Sequence, residues 1–179
     1  MRALALAATA AAVLGGCSAA IERVDQAEGE ALTGRVVKIA DGDTITVRTG
    51  DGQRRKVRLL AIDTPESYAT RYGYTECGGE EAKEAMRRLV KRSPRVKLTT
   101  DPSQDETDRY GRLLAYVAPA AGGETFQAAL TRQGWAEVYR FNERRPPRLA
   151  RKLDPLAEAA RRSGAGVWRS CDGFHVRQD

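Results

Sequence analysis

One histidine and three cysteines in 179 residues leave little room for chemistry built on either. His175 has a single potential partner at ligand spacing, Cys171, and one Cys–His pair is weak material for a zinc site. The sequence therefore gives no ground for a histidine-based mechanism, and His175 reads as a residue of the C-terminal tail. Long hydrophobic runs are also missing. The longest, Ala3 to Leu14, is too short to cross a bilayer comfortably as a permanent helix. No internal repeat is present.

That short run has another reading. Met1-Arg2 supplies one positive charge, and the apolar stretch ends in Leu14-Gly15-Gly16-Cys17. A charged start followed by a short apolar core is the pattern of a signal peptide. Its last residues resemble a bacterial lipobox, in which the cysteine becomes a lipidated first residue. Residues 1–16 are then removed and Cys17 holds the chain at a membrane. The alternative is an ordinary signal peptide cut near Ala20, with Cys17 discarded. Either way the expected location is outside the cytoplasm, in the cell envelope or secreted. Export leaves Cys77 and Cys171, an even number in an oxidising compartment. They either form a disulfide tying the loop before the first helix to the tail or remain two free thiols.

Lys and Arg total 30 against 24 Asp and Glu, a formal net charge of +6. Such a balance fits a polyanion or an anionic membrane surface without selecting between them. The length suits one domain. Residues 17–31 are polar and lack a strong apolar period, as expected of a tether, and the folded domain is expected over residues 32–170 with a tail at 171–179. Val36 to Ile39, Thr44 to Thr49 and Arg55 to Ile62 read as three strands joined by Asp-Gly turns. Glu80 to Arg92 is an amphipathic helix with acids in its first turn and bases in its last. Two more strands, Val96 to Thr99 and Leu113 to Val117, precede a short helix at Thr125 to Gln133. A last helix is expected from Asp154 as N-cap, with Pro155 at its first position, to Ser163. This order suits an α+β, mainly β domain: a five-stranded OB-fold barrel with three attached helices.

Three short motifs carry chemistry. They are Asp41-Gly-Asp43-Thr44, Arg58-Leu-Leu-Ala-Ile-Asp63-Thr64-Pro65-Glu66, and Asp108-Arg109-Tyr110-Gly111-Arg112. An arginine inside an apolar strand is costly unless it is used. Carboxylates at strand ends suit a hard cation that takes oxygen ligands. Asp41 reads as a turn residue, because Asp-Gly favours hairpin turns. The loop Ser67 to Gly79 interleaves Tyr68, Arg71, Tyr72 and Tyr74, a pattern that suits tracking a nucleic-acid backbone and stacking its bases.

In order and spacing these motifs resemble the staphylococcal nuclease, or thermonuclease, family over about residues 32–168. The resemblance implies an OB-fold and Ca²⁺-dependent hydrolysis of DNA and RNA that leaves 3′-phosphate ends. It implies that Asp43, Asp63 and the Thr64 carbonyl hold the metal and that Glu66 is the general base. It also implies that Arg58 and Arg112 clamp the phosphate, where a guanidinium fork donates two hydrogen bonds. Arg109 and Tyr110 match positions beside the nucleotide. Arg71 and Tyr72 fall in the loop that contacts nucleic acid, and Tyr139 stands where the family places one or two nucleotide-binding tyrosines. A monomer is expected.

Overall fold

The computed structural model describes residues 31–68 and 74–178. The leader of residues 1–16, the lipidation site Cys17, the tether as far as residue 30, and Arg71 and Tyr72 lie outside the described residues. Among the described residues, no helix is long and apolar enough to cross a membrane.

In chain order the first strands are β1 (Ala31–Ile39), β2 (Thr44–Thr49), β3 (Arg54–Leu59), β4 (Ile62–Asp63) and β5 (Thr75–Glu76). Helix α1 (Gly79–Arg92), β6 (Arg95–Thr99), β7 (Leu113–Pro119) and α2 (Phe126–Arg132) follow. The chain ends in β8 (Glu137–Val138), α3 (Ala150–Ser163), α4 (Val167–Ser170) and β9 (Arg177–Gln178). Five strands close a barrel in the order β1-β2-β3-β7-β6, with only β3 and β7 parallel. This is the expected OB plan. Ala31 already pairs with Thr99, so the barrel begins one residue inside the stretch read as tether.

Period-two alternation fills the barrel. Ile45 and Val47 of β2, Val57 and Leu59 of β3, Val96 and Leu98 of β6, and Ala115 and Val117 of β7 are all buried. Helix α1 covers the core with Ala82, Ala85, Met86 and Leu89, the face expected from its periodicity. Helix α2 starts at the Thr125 cap, whose hydroxyl accepts from the Ala128 amide. Its Gln127 is fully buried and hydrogen-bonded throughout. Its Oε1 accepts from the Val117 amide, and its Nε2 donates to the Ala115 and Leu60 carbonyls.

Two expectations need correction. Strand β3 stops at Leu59 instead of running to Ile62, because Ala61 takes a left-handed conformation with φ 69°. The turn is held from outside: Leu60 N–H donates to Ala115 O, and Gln127 supports Leu60 O. Helix α3 begins at Ala150, not after an Asp154 cap, and carries Pro155 inside it. Burial of Leu149, Ala150 and Leu153 against the core outweighs the hydrogen bond lost at the proline. Asp154 instead pairs with Arg140. The tail bears out the disulfide: Cys77 and Cys171 are bonded across 94 residues of sequence, and β9 pairs with β5. That is the pairing of thiols that export allows.

Gln127→Leu should lower stability by about 3 kcal/mol, because an apolar side chain takes the partner from the Val117 N–H and the Leu60 carbonyl, while Ala115 O keeps only the Leu60 N–H. Urea unfolding at constant m-value would measure it. A midpoint equal to that of the parent would show that the amide is dispensable.

Candidate active site

Arg58 lies on the outer face of β3, opposite Val57 and Leu59, yet its side chain is only 14% exposed. Its guanidinium is wrapped by polar groups. Nη1 donates to the Leu59 and Ile62 carbonyls at 2.9 and 2.8 Å. Nη2 meets Asp63 Oδ1 at 2.5 Å and Asp43 Oδ2 at 3.1 Å. Five residues separate Arg58 from Asp63. In an unbroken strand they would face opposite sides, roughly 16 Å apart along the chain. The turn at Ala61 brings them into contact. A non-glycine residue held at positive φ costs roughly 1–3 kcal/mol, and the bonds from Arg58 to both ends of that turn help to hold it there.

Asp43 reaches the same point from the β1–β2 connection. Its carbonyl accepts from Leu59 N–H at 2.8 Å, and Thr64 N–H donates to its Oδ2 at 3.2 Å. Gly42 makes this approach possible, since a Cβ there would stand 2.7 Å from Thr64 Oγ1. Asp41 does more than turn the chain. It is buried, accepts from the Gly42 and Ser67 amides, and lies against the Glu66 carboxyl.

Glu66 follows the Thr64-Pro65 step at the mouth of this cluster. Its main chain is fixed by a reciprocal pair of bonds with Glu76. Glu66 N–H donates to Glu76 Oε2, and Glu76 N–H donates to Glu66 O, both at 3.0 Å. Helix α1 abuts the same segment through Gly79, where a Cβ would come within 2.3 Å of Glu66 O. Burial, then Asp41, pushes the Glu66 pKa up to about 8. Burial likewise raises Asp63 to about 7 despite its contact with Arg58. Burial disfavours the Arg58 charge, but Asp43, Asp63 and Glu66 outweigh it and hold the guanidinium above its usual range.

Arg112 precedes β7, the parallel neighbour of β3, and so reaches the same rim. Its Nε meets Asp108 Oδ2 at 2.6 Å, and its Nη1 lies 3.4 Å from Thr44 Oγ1. Its guanidinium carbon is 5.4 Å from the centre of the Tyr110 ring, and that of Arg109 is 4.8 Å from it. Tyr110 is 65% exposed, and its ring presents a surface beside the two arginines. Tyr139 is exposed too, with its N–H on Ala61 O, directly behind the strained turn. The structure thus gathers Asp43, Arg58, Asp63, Thr64, Glu66 and Arg112, and places Arg109, Tyr110 and Tyr139 around them.

Two site residues escape sequence reasoning. Glu76 and His175 lie 99 residues apart, and only the tail's return brings them together. His175 Nδ1 is 2.9 Å from Glu76 Oε2, and Nε2 is 3.0 Å from Glu137 Oε1 and 3.6 Å from Asp63 Oδ2. Glu137 above all, with Glu76, pushes the imidazole pKa up to about 9 against the effect of burial. The placement of His175 as a mere tail residue is therefore incomplete. The even cysteine count that suggested a disulfide was the one sequence signal that the tail folds back.

The residues present fit a divalent cation. Asp43 and Asp63 converge on one guanidinium nitrogen, and Asp41, Asp63 and Glu66 all hold protons more tightly than usual. Thr64 Oγ1 and Glu66 Oε2 are buried without a hydrogen-bond partner among the described residues. Four crowded carboxyl groups, with one carboxyl oxygen and a neighbouring hydroxyl unpartnered, form an all-oxygen donor set of the kind a hard cation neutralises. Asp63, Glu137 and His175 also offer atoms within 4.8 Å of one another, but there the imidazole already bonds the acids.

Comparison with known proteins agrees with this geometry. The family model described as staphylococcal nuclease homologue matches residues 56–170. The chain is 35% identical over 118 residues to a thermonuclease of Staphylococcus hyicus, covering 63% of this chain and 66% of that protein. It is 36% identical over 145 residues to the protein ParB of Escherichia coli, covering 76% and 72%. It is 27% identical over 150 residues to the endonuclease YhcR of Bacillus subtilis, covering 82% of this chain but 12% of that protein. The chain spans just under two thirds of the Staphylococcus hyicus protein and a small part of the Bacillus subtilis one. With a family model matched over residues 56–170, more than half of its length, this chain belongs to the staphylococcal nuclease family.

Proposed function

We propose that this protein is a Ca²⁺-dependent nuclease that hydrolyses DNA and RNA with little sequence preference and leaves 3′-phosphate ends. The observation that carries the reading is the convergence of Asp43 and Asp63 on Arg58, with Glu66 and Arg112 on the same rim. A relative named thermonuclease and another named endonuclease support it.

Asp43, Asp63 and the Thr64 carbonyl would hold the ion. When bound, Ca²⁺ supplies positive charge to a phosphate oxygen and relieves Arg58 of neutralising both carboxylates. Glu66 orients a water molecule and takes its proton as the oxygen attacks phosphorus; the P–O5′ bond breaks, the 5′-oxygen leaves and takes a proton from solvent, and the phosphate stays on the 3′ side. Its raised pKa marks a carboxyl group whose ionisation depends on nearby positive charge. Arg58 and Arg112 donate N–H groups to the equatorial oxygens, where negative charge grows. Asp108 aims Arg112 by taking its Nε, and with Nη1 on the Thr44 hydroxyl this turns Nη2 toward phosphate. Tyr110 and Tyr139 offer rings to any base, and the arginines see only backbone, so sequence discrimination is weak. The leader pattern supports export and lipid anchoring at Cys17, which would put a monomeric enzyme at the cell envelope.

Plasmid DNA should be degraded with Ca²⁺ and left intact with chelator, and calorimetry should detect Ca²⁺ binding that Asp43→Asn weakens. No cleavage under either condition would sink the nuclease reading. Glu66→Gln should lower kcat on the order of 10²–10⁴-fold while sparing nucleotide affinity; unchanged turnover would remove it as the base. Arg58→Lys keeps the charge but loses the fork. A fall in kcat on the order of 10²–10³-fold is expected, and near-parental rates would show that the fork is unnecessary.

A further inference from the structure

The C-terminal tail returns to the site under tight control. Cys171 is bonded to Cys77, Cys77 N–H donates to Val176 O at 2.8 Å, and Glu76 pairs with Arg177. These fastenings lie on both sides of His175. Phe174 packs edge-on against Trp168, with ring centres 5.5 Å apart. His175 itself takes φ 59°, a conformation that non-glycine residues adopt at a cost. Closing the tail does not require that cost, because the disulfide and β9 already hold it. What the strained turn achieves is direction. One ring nitrogen meets Glu76 and the other meets Glu137 and faces Asp63. The Glu76 oxygen bonded to His175 is the same Oε2 that accepts the Glu66 amide.

We propose that the tail completes the active site and that His175 is a positioning residue. Through Glu76 it fixes the main chain of Glu66, and directly it restrains Asp63. This rests on the nuclease reading for the roles of Glu66 and Asp63. The imidazole couples the base to a metal-side carboxylate three residues away through a path that leaves the local chain altogether. Misplacing a catalytic group by about 1 Å can cost up to 10²-fold in rate, so even a loose tether should be visible in turnover.

The test uses the full chain with its disulfide intact. His175→Ala should lower kcat on DNA about tenfold at saturating Ca²⁺, with KM within about twofold. By NMR, amide exchange at Glu66 should quicken about tenfold as its acceptor loosens. His175→Gln, whose amide can donate to both Glu76 and Glu137, should recover much of both losses. Phe174→Ala loosens tail packing and removes a ring that lies 6.4 Å from the imidazole, but it removes none of the bonds from His175 to the acids; it should lower Tm and leave kcat at temperatures well below Tm unchanged. Parental kcat together with parental Glu66 exchange in His175→Ala would overturn the proposal. So would an equal loss of kcat in Phe174→Ala, which would mean that the tail acts only as a structural closure. If the parent protein cleaves no nucleic acid, the nuclease reading fails instead, and the exchange comparison still decides whether His175 positions Glu66.

Discussion

The site depends on one buried charge. Arg58 stands in a strand of the barrel where a guanidinium cannot be left unpaired, and Asp43, Asp63 and two carbonyls surround it. Those contacts fix the turn at Ala61, set the height of Asp63, and tie the β1–β2 connection to the end of β3. Glu66 and Arg112 take their places relative to that knot. A buried pair of this sort is weak as a source of stability. Its value here is registry: it makes a break in β3 the preferred arrangement and holds acidic groups together that would otherwise separate.

The acids show the same logic in reverse. Asp41, Asp43, Asp63 and Glu66 come from two chain segments, and burial raises the proton affinity of three of them. Folding concentrates negative charge beyond what Arg58 neutralises. The barrel core of Ile45, Val57, Leu59 and their neighbours provides the favourable free energy that tolerates this crowding. The disulfide and β9 add a second restraint, holding the segment after Glu66 from the far end of the chain.

Much of the fold was legible. The alternation in β2 and β3 and the apolar face of α1 are local patterns with one stable solution each. The end of β3 was not legible, because Arg58-Leu-Leu-Ala-Ile has no glycine or proline to announce a turn. Nor was the start of α3, where Pro155 and Asp154 imitate an N-terminus that burial of Ala150 and Leu153 overrides. Asp41 was read as a simple turn residue because Asp-Gly is a strong local signal. Its burial against Glu66 is a long-range fact.

By itself the sequence determined the barrel's strand pattern, the family of motifs and the identity of the residues in the site's core, since each is encoded within a dozen neighbouring positions. Only the tertiary structure decided how those residues meet. Arg58 touches Asp63 because the chain reverses at Ala61, and His175 reaches Glu76 because a disulfide carries the tail back across the molecule. The reason is physical. Local preference acts through neighbouring side chains and main-chain angles, whereas contacts between distant segments form only where burying the shared core outweighs the cost of strain and of gathered like charges.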